Sequence, residues 1–141
     1  MNLLFCAASE SDVPVIYEQA KALIDAYEDT HAIDYDKVLA WVKKKIETEI
    51  HSYIRVFCDG KICAYYRLCT DGELDDLYVL DGFRGQGIGS QILNQCINES
   101  PNALWLYVFS RNTRAIAFYE RFGFTVREQI GTTRLIMARN G

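Results

Sequence analysis

The spacing of hydrophobic residues changes period along the chain, and each change predicts an element. Ile16, Ala20, Leu23, Ile24 and Tyr27 recur at about 3.6 residues, as do Val38, Leu39, Val42, Ile46 and Ile50, so two amphipathic helices are expected near the N-terminus. Ser9 or Ser11 is placed to cap the first, and the second begins at about Asp34, after a polar connection, Glu28 to Ala32. Leu3 to Ala7 reads as a strand before them. Beyond the second helix the runs read as strands: Ser52 to Cys58 and Lys61 to Thr70 flank Asp59-Gly60, a strong hairpin signal. Asp71-Gly72 then opens a third strand, Glu73 to Val79, completing an antiparallel meander. Helical spacing returns with Ile88, Ile92 and Cys96 on one line, Leu93 and Ile97 beside it, to about Glu99. Ala103 to Phe109 is continuously apolar and is expected as a strand buried on both faces. Asn112 caps a last helix that Gly123 ends, and Phe124 to Ile130 with Thr132 to Ala138 predict a closing hairpin around Gly131. The order is β-α-α-β-β-β-α-β-α-β-β, an α/β chain.

Composition narrows this picture. A chain of 141 residues, half of them hydrophobic, can bury a full core, and with no repeat, linker or low-complexity tract it reads as one domain, 1–141. The net charge of −4 argues against nucleic acid as a partner, and no apolar run approaches the ~20 residues needed to cross a bilayer. The first residues lack the basic start of a signal peptide. The five cysteines form no Cys-x-x-Cys pair, and four fall in expected strands, so a cytoplasmic protein with free thiols is expected. His31 and His51 have no metal-ligand spacing around them, and no metal site is assigned. Lys43, Lys44 and Lys45 read as a solvated helix face.

One segment carries candidate chemistry. Arg84-Gly85-Gln86-Gly87-Ile88-Gly89-Ser90 lies between an expected strand and an expected helix. Glycines on alternate positions let a ligand approach the backbone, and a helix start offers unpaired N–H donors with roughly half a positive charge. Ser90 adds a hydroxyl and Arg84 a guanidinium, which together describe a cradle for a pyrophosphate. A P-loop is excluded because no lysine follows Lys61, and the glycines are out of register for a dinucleotide fingerprint. A glycine-rich turn without a ligand is the alternative.

Arg84-x-x-Gly87-x-Gly89 resembles the acetyl-coenzyme A loop of the GNAT-type N-acetyltransferases. Asn112-Thr113-Arg114-Ala115-Ile116-Ala117-Phe118-Tyr119-Glu120-Arg121-Phe122-Gly123-Phe124 resembles their second signature, and Glu73 to Val79 the strand before the loop. These pieces stand in the family's order and cover about half the chain. One departure is Asp81-Gly82, where many members carry proline. The resemblance implies a mixed, mostly antiparallel sheet of six to seven strands with helices on both faces. It also implies acetyl-coenzyme A as co-substrate and direct attack by an amine within a ternary complex. The two strands flanking the cofactor splay in this family, so Leu77 and Val79 would line the pantetheine arm, with a backbone N–H around Tyr78 to Val79 meeting the acetyl carbonyl. Residues Arg84, Gly85, Gln86, Gly87, Ile88, Gly89 and Ser90 would hold the diphosphate. Asn112, Ala115, Phe118 and Tyr119 would approach from the last helix, although Asn112 serves equally as a plain cap.

Amine acylation needs a base, oxyanion donors and an acid for the thiolate. Tyr119 is expected as the acid, on a helix face distinct from Phe118 and Phe122; a packed core tyrosine is the alternative. Cys96, on an apolar stripe, is an unsuitable nucleophile. Strand alternation puts Glu73 and Asp75 on one face and Asp76 on the other. The resemblance implies an acidic residue at the position of Glu73 or of Asp75, so Glu73 is the first candidate base and Asp75 the second. Acceptor binding and solvent exposure are the competing roles for these acids. Acidic residues in or beside the link between the first two helices (Asp25, Glu28, Asp29, Asp34, Asp36) and in the strand point to a small primary amine as acceptor. A polyamine, an aminoglycoside-like compound or an amino-acid derivative would each qualify. A protein or peptide amine and a non-catalytic acetyl-coenzyme A module are the alternative readings, and the chain is expected as a monomer or homodimer.

Overall fold

The computed structural model describes residues 2–100 and 102–140. Strand β1 (Leu3–Ala7) is followed by a short 3-10 turn, then α1 (Val13–Tyr27) and α2 (Tyr35–Glu49). Strands β2 (Ile54–Cys58), β3 (Lys61–Leu68) and β4 (Leu74–Val79) form the meander. Helix α3 (Ile88–Glu99), β5 (Ala103–Phe109), α4 (Thr113–Arg121), β6 (Thr125–Ile130) and β7 (Arg134–Asn140) complete the chain. This is the order that the hydrophobic periods predict.

Local chemistry sets the ends of these elements. Ser9 caps the 3-10 turn rather than α1 itself, in a capping box with Asp12, and Asp34 caps α2 by accepting from the Lys37 N–H at 3.3 Å. Asp59 and Gly60 both take positive φ, 52° and 80°, so β2 and β3 join through a tight turn whose twist matches the strands. Ser52, expected to begin a strand, instead closes a 3-10 turn, Ile50–Ser52, that follows α2.

The strands form two antiparallel sheets, ordered β1-β2-β3-β4 and β5-β7-β6. They meet at one parallel bridge between Glu73 and Trp105, backed by the Trp105 N–H donating to the Gly72 carbonyl at 3.0 Å. From that vertex β4 and β5 diverge. Gly72 sits there at φ 91°, where an added Cβ would collide with the Ala103 carbonyl, so only glycine lets the strands approach.

Two cores lie on opposite faces. One joins α3 to both sheets through Ile88, Ile92, Leu93, Cys96, Leu104, Leu106, Phe124 and Met137, with α4 packed against it. The other places α1 and α2 over β3 and β4 through Ile16, Ile46, Ile50, Tyr53, Tyr65 and Tyr78. Strand β5 departs from expectation: it alternates, burying Leu104, Leu106 and Val108 while Tyr107 is 43% exposed. Its second face is aromatic (Trp105, Tyr107, Phe109) and only partly covered, Tyr27 of α1 stacking on Phe109 at 6.4 Å while Tyr107 stays open.

Candidate active site

The opening between β4 and β5 gathers most of the predicted residues. Strand β4 pairs with β3 in the register Tyr78↔Tyr65 and Leu77↔Tyr66, and the Leu80 N–H donates to the Cys63 carbonyl at 2.9 Å. In an antiparallel pair a residue directs both main-chain groups to the same side. Tyr78 and Leu80 therefore face β3, whereas Leu77 and Val79 present their N–H and C=O to the opening. Their side chains pack against the α3 and α4 core. Tyr78 is placed otherwise: its ring is buried under α1 and α2 and its hydroxyl donates to Asp76 at 2.7 Å.

At the mouth of the opening the chain turns into α3. Gly85 and Gly87 take φ of 77° and 80°, and a Cβ on either would meet nothing within 4 Å. Gly87 is the N-cap of α3 and supplies no side-chain acceptor. Among the described residues the N–H groups of 84 to 90 find no acceptor, the first pairing being Gln91 N–H with the Gly87 carbonyl at 3.1 Å. A row of free donors on bare backbone at a helix start fits a diphosphate. Ile88 turns its side chain into the core, so its contribution is its main chain. Gly89 lies against the core, where a Cβ would sit at ordinary contact distance, 3.5 Å from the Phe118 ring and 3.7 Å from Val79. Arg84 donates to the Val79 carbonyl at 3.1 Å and pairs with Asp81 at 3.0 Å, while Gln86 donates to the Gly82 carbonyl at 3.2 Å.

Tyr119 lies on α4 beside this opening, its ring edge-on to Phe118 and Phe124 at 5.2 and 5.5 Å. It shares the packed side with Phe118 rather than standing on a separate face. Burial holds its phenol well above the ordinary value. No hydrogen bond to its hydroxyl is among the causes of that shift. Asn112 accepts from the Ala115 N–H at 3.2 Å, the capping arrangement. Cys96 is fully buried, and burial first of all pushes its thiol up to about 12.

The acidic residues of β4 arrange themselves against alternation. The β3–β4 register shifts so that Arg67 opposes Asp76 and Leu68 opposes Leu74, leaving Asp75 as an extra residue in a bulge. As a result Asp75 and Asp76 both reach the α2 face, where Lys45 pairs with them at 2.8 and 3.3 Å, so the opposite-face expectation for Asp76 fails. Arg67 also pairs with Asp75, at 2.8 Å, and Tyr53 donates to Asp76. Lys45 is thus no part of a solvated run: burial opposes its charge, but Asp76 and Asp75 outweigh that and raise its pKa. Glu73 remains outside this network. Burial, then the charges of Asp75 and Asp71, raise its carboxyl above the ordinary value. Cys69, Asp71 and Glu73 bring their ligating atoms within 4.8 Å of one another. Cys69, not Cys96, is therefore the thiol beside the candidate base, a placement made by the β3–β4 turn and invisible in linear spacing.

The chain is similar to known proteins in both sequence and fold. A peptidyl-lysine N-acetyltransferase, YjaB, from Salmonella typhimurium is 34% identical over 61 residues, 43% of this chain and 41% of that protein, so the chain spans about two-fifths of that relative. Two solved structures share the fold over the full length of both chains. They are the PaiA N-acetyltransferase of Thermoplasma acidophilum in complex with coenzyme A (TM-score 0.71, 20% identity) and Arabidopsis thaliana Naa50 with the bisubstrate analogue CoA-Ac-MVNAL (0.67, 17%). The family model described as acetyltransferase (GNAT) family matches residues 17–124, which span α1 through the Phe124 that follows α4, and the chain belongs to that family.

Proposed function

We propose that this chain is an N-acetyltransferase that draws on acetyl-coenzyme A and acylates a primary amine of a small molecule directly, in a ternary complex. The observation that carries the reading is the group of main-chain donors without acceptors at residues 84 to 90, at the uncapped start of α3, next to the open edge of β4. Coenzyme A in the T. acidophilum neighbour supports it. The coenzyme would supply a thioester whose C–S bond breaks as the C–N bond forms, the amine proton leaving to a base and the thiolate taking a proton from an acid.

In this reading the amides of residues 85 to 90, with Arg84, hold the diphosphate, and Leu77 and Val79 bind the arm through the open strand edge. The N–H of Leu77 or Val79, rather than that of Tyr78, is the donor for the developing oxyanion. Glu73 is the base, because its raised pKa keeps it basic toward an ammonium. Asp75 is instead engaged by Lys45 and Arg67, and its charge adds to those that raise Glu73. Tyr119 stays protonated across the working range and donates to the thiolate.

The test is thiol release from acetyl-coenzyme A over a panel of amines. Release with small amines supports the reading; release with peptides alone replaces it by the second reading, a protein amine acceptor, which the names of YjaB and the Naa50 complex favour. Coenzyme A binding without any turnover, insensitive to Tyr119→Phe, would indicate a binding module.

A further inference from the structure

The cradle at 84–90 has two banks of unlike charge. On one, the Asp81 carboxylate pairs with Arg84 at 3.0 Å. On the other is α4, which touches the start of α3 through Phe118: a Cβ on Gly89 would lie 3.5 Å from the tip of that ring. The Arg121 guanidinium stacks on the same ring, 5.7 Å from its centroid. Gly89, Phe118 and Arg121 therefore stand in one line of contact that runs from the helix start to a cation. Arg114 lies two turns before Arg121 on the same helix face, with the small side chain of Ala117 between them. Both arginines are exposed, and among the described residues neither belongs to an ion pair. The charge of the chain agrees: from Arg84 onward arginines outnumber carboxylates, whereas the segment before it is acidic.

A guanidinium stacked on a ring and free of carboxylates suits a phosphate, because stacking orients its plane and leaves its donors available. Coenzyme A carries such a group besides its diphosphate: the 3′-phosphate of its ribose, one sugar away. With the pantetheine arm running back along β4, the ribose leaves the cradle at its outer side. There the Asp81 bank carries a carboxylate and the α4 bank carries cations, so a phosphate dianion is drawn to α4. We infer that Arg121 binds the 3′-phosphate of the coenzyme, with Arg114 adding to the attraction along the same face, and that the protein thereby discriminates coenzyme A from its 3′-dephospho form. This inference rests on the placement of the diphosphate at residues 84 to 90 in the reading above. It does not depend on which amine is acylated.

The test is calorimetric titration of the full chain with coenzyme A and with 3′-dephospho-coenzyme A. Coenzyme A is expected to bind about tenfold tighter, as for one charge-assisted contact, and the gap is expected to narrow as salt is raised. Arg121→Gln is expected to bring the two affinities within about twofold, and Arg121→Lys to restore part of the difference. Arg121 is exposed, so these variants are expected to fold. A role confined to the last turn of α4, where a cation favours the helix dipole, would change stability and leave the ratio of affinities untouched. Equal affinities in the unaltered protein, or a preference that survives Arg121→Gln, would overturn the inference and leave the acetyltransferase reading standing. Binding of neither compound would overturn both. Selective binding that Arg121→Gln abolishes, with no thiol release from acetyl-coenzyme A and any amine, would uphold the inference and remove the transferase.

Discussion

The two ends of strand β4 are opposites. At its start the chain is pinned: Gly72 presses against the Ala103 carbonyl, Glu73 bridges Trp105, and the bulge at Asp75 is clamped by Lys45 and Arg67. At its end the chain is open, with the Leu77 and Val79 N–H groups directed toward β5, the Val79 carbonyl taken by Arg84, and two glycines facing empty space. Glycine serves both ends, once because there is no room for a side chain and once because room must be left. The difference teaches that the closed vertex sets the angle at which the donors of the open end are displayed.

Substitutions at each end sharpen this contrast. Gly72→Ala is expected to cost the most, about 3 kcal/mol or more, because positive φ and a backbone clash coincide there; urea unfolding at matched m-value measures it. Tyr119→Phe is expected to lower kcat about 100-fold with coenzyme A affinity within twofold, which titration and thiol-release kinetics separate. Lys45→Met is expected to cost about 2 kcal/mol by removing the cation that Asp75 and Asp76 share in a partly buried site, Asp75 keeping Arg67 and Asp76 the Tyr53 and Tyr78 hydroxyls. Its pH signature follows from linkage. The folded pKa of Lys45 is raised, so its stabilisation is present below the ordinary value of 10.5 and lost as pH climbs through the folded value. The unaltered protein should lose more stability than Lys45→Met above about pH 10.5, and parallel curves would refute the clamp. Smallest is Gly87→Ala, expected to cost about 1–2 kcal/mol of stability through its left-handed φ and to weaken coenzyme A binding about tenfold. Retained affinity would remove the open end from the binding surface.

How much of this was legible depended on whether the signal is local. Periodicity located all the helices and strands because a helix or strand face needs only its own residues to be recognised. The loop at 84–90 was equally legible, since its chemistry is main-chain chemistry punctuated by glycine. Three features were not. The bulge that turns Asp75 and Asp76 to one face is a register slip against β3, and alternation along β4 alone cannot show it. Lys45 looked like its exposed neighbours Lys43 and Lys44, because its partners lie about thirty residues ahead. The open face of β5 was hidden by its aromatic composition, which resembles burial. For Tyr119, Glu73 and the loop residues, sequence supplied the candidates, and the fold supplied their distances and charge.

Trp105 has a practical consequence. The chain carries two tryptophans, and the other, Trp41, is 65% exposed on α2. Replacing Trp41 with phenylalanine, a surface change expected to cost under about 0.5 kcal/mol, would leave a single indole at the strand crossing beside Glu73. Its emission would then be an intrinsic optical probe of the cleft, able to follow occupancy in real time with no dye attached.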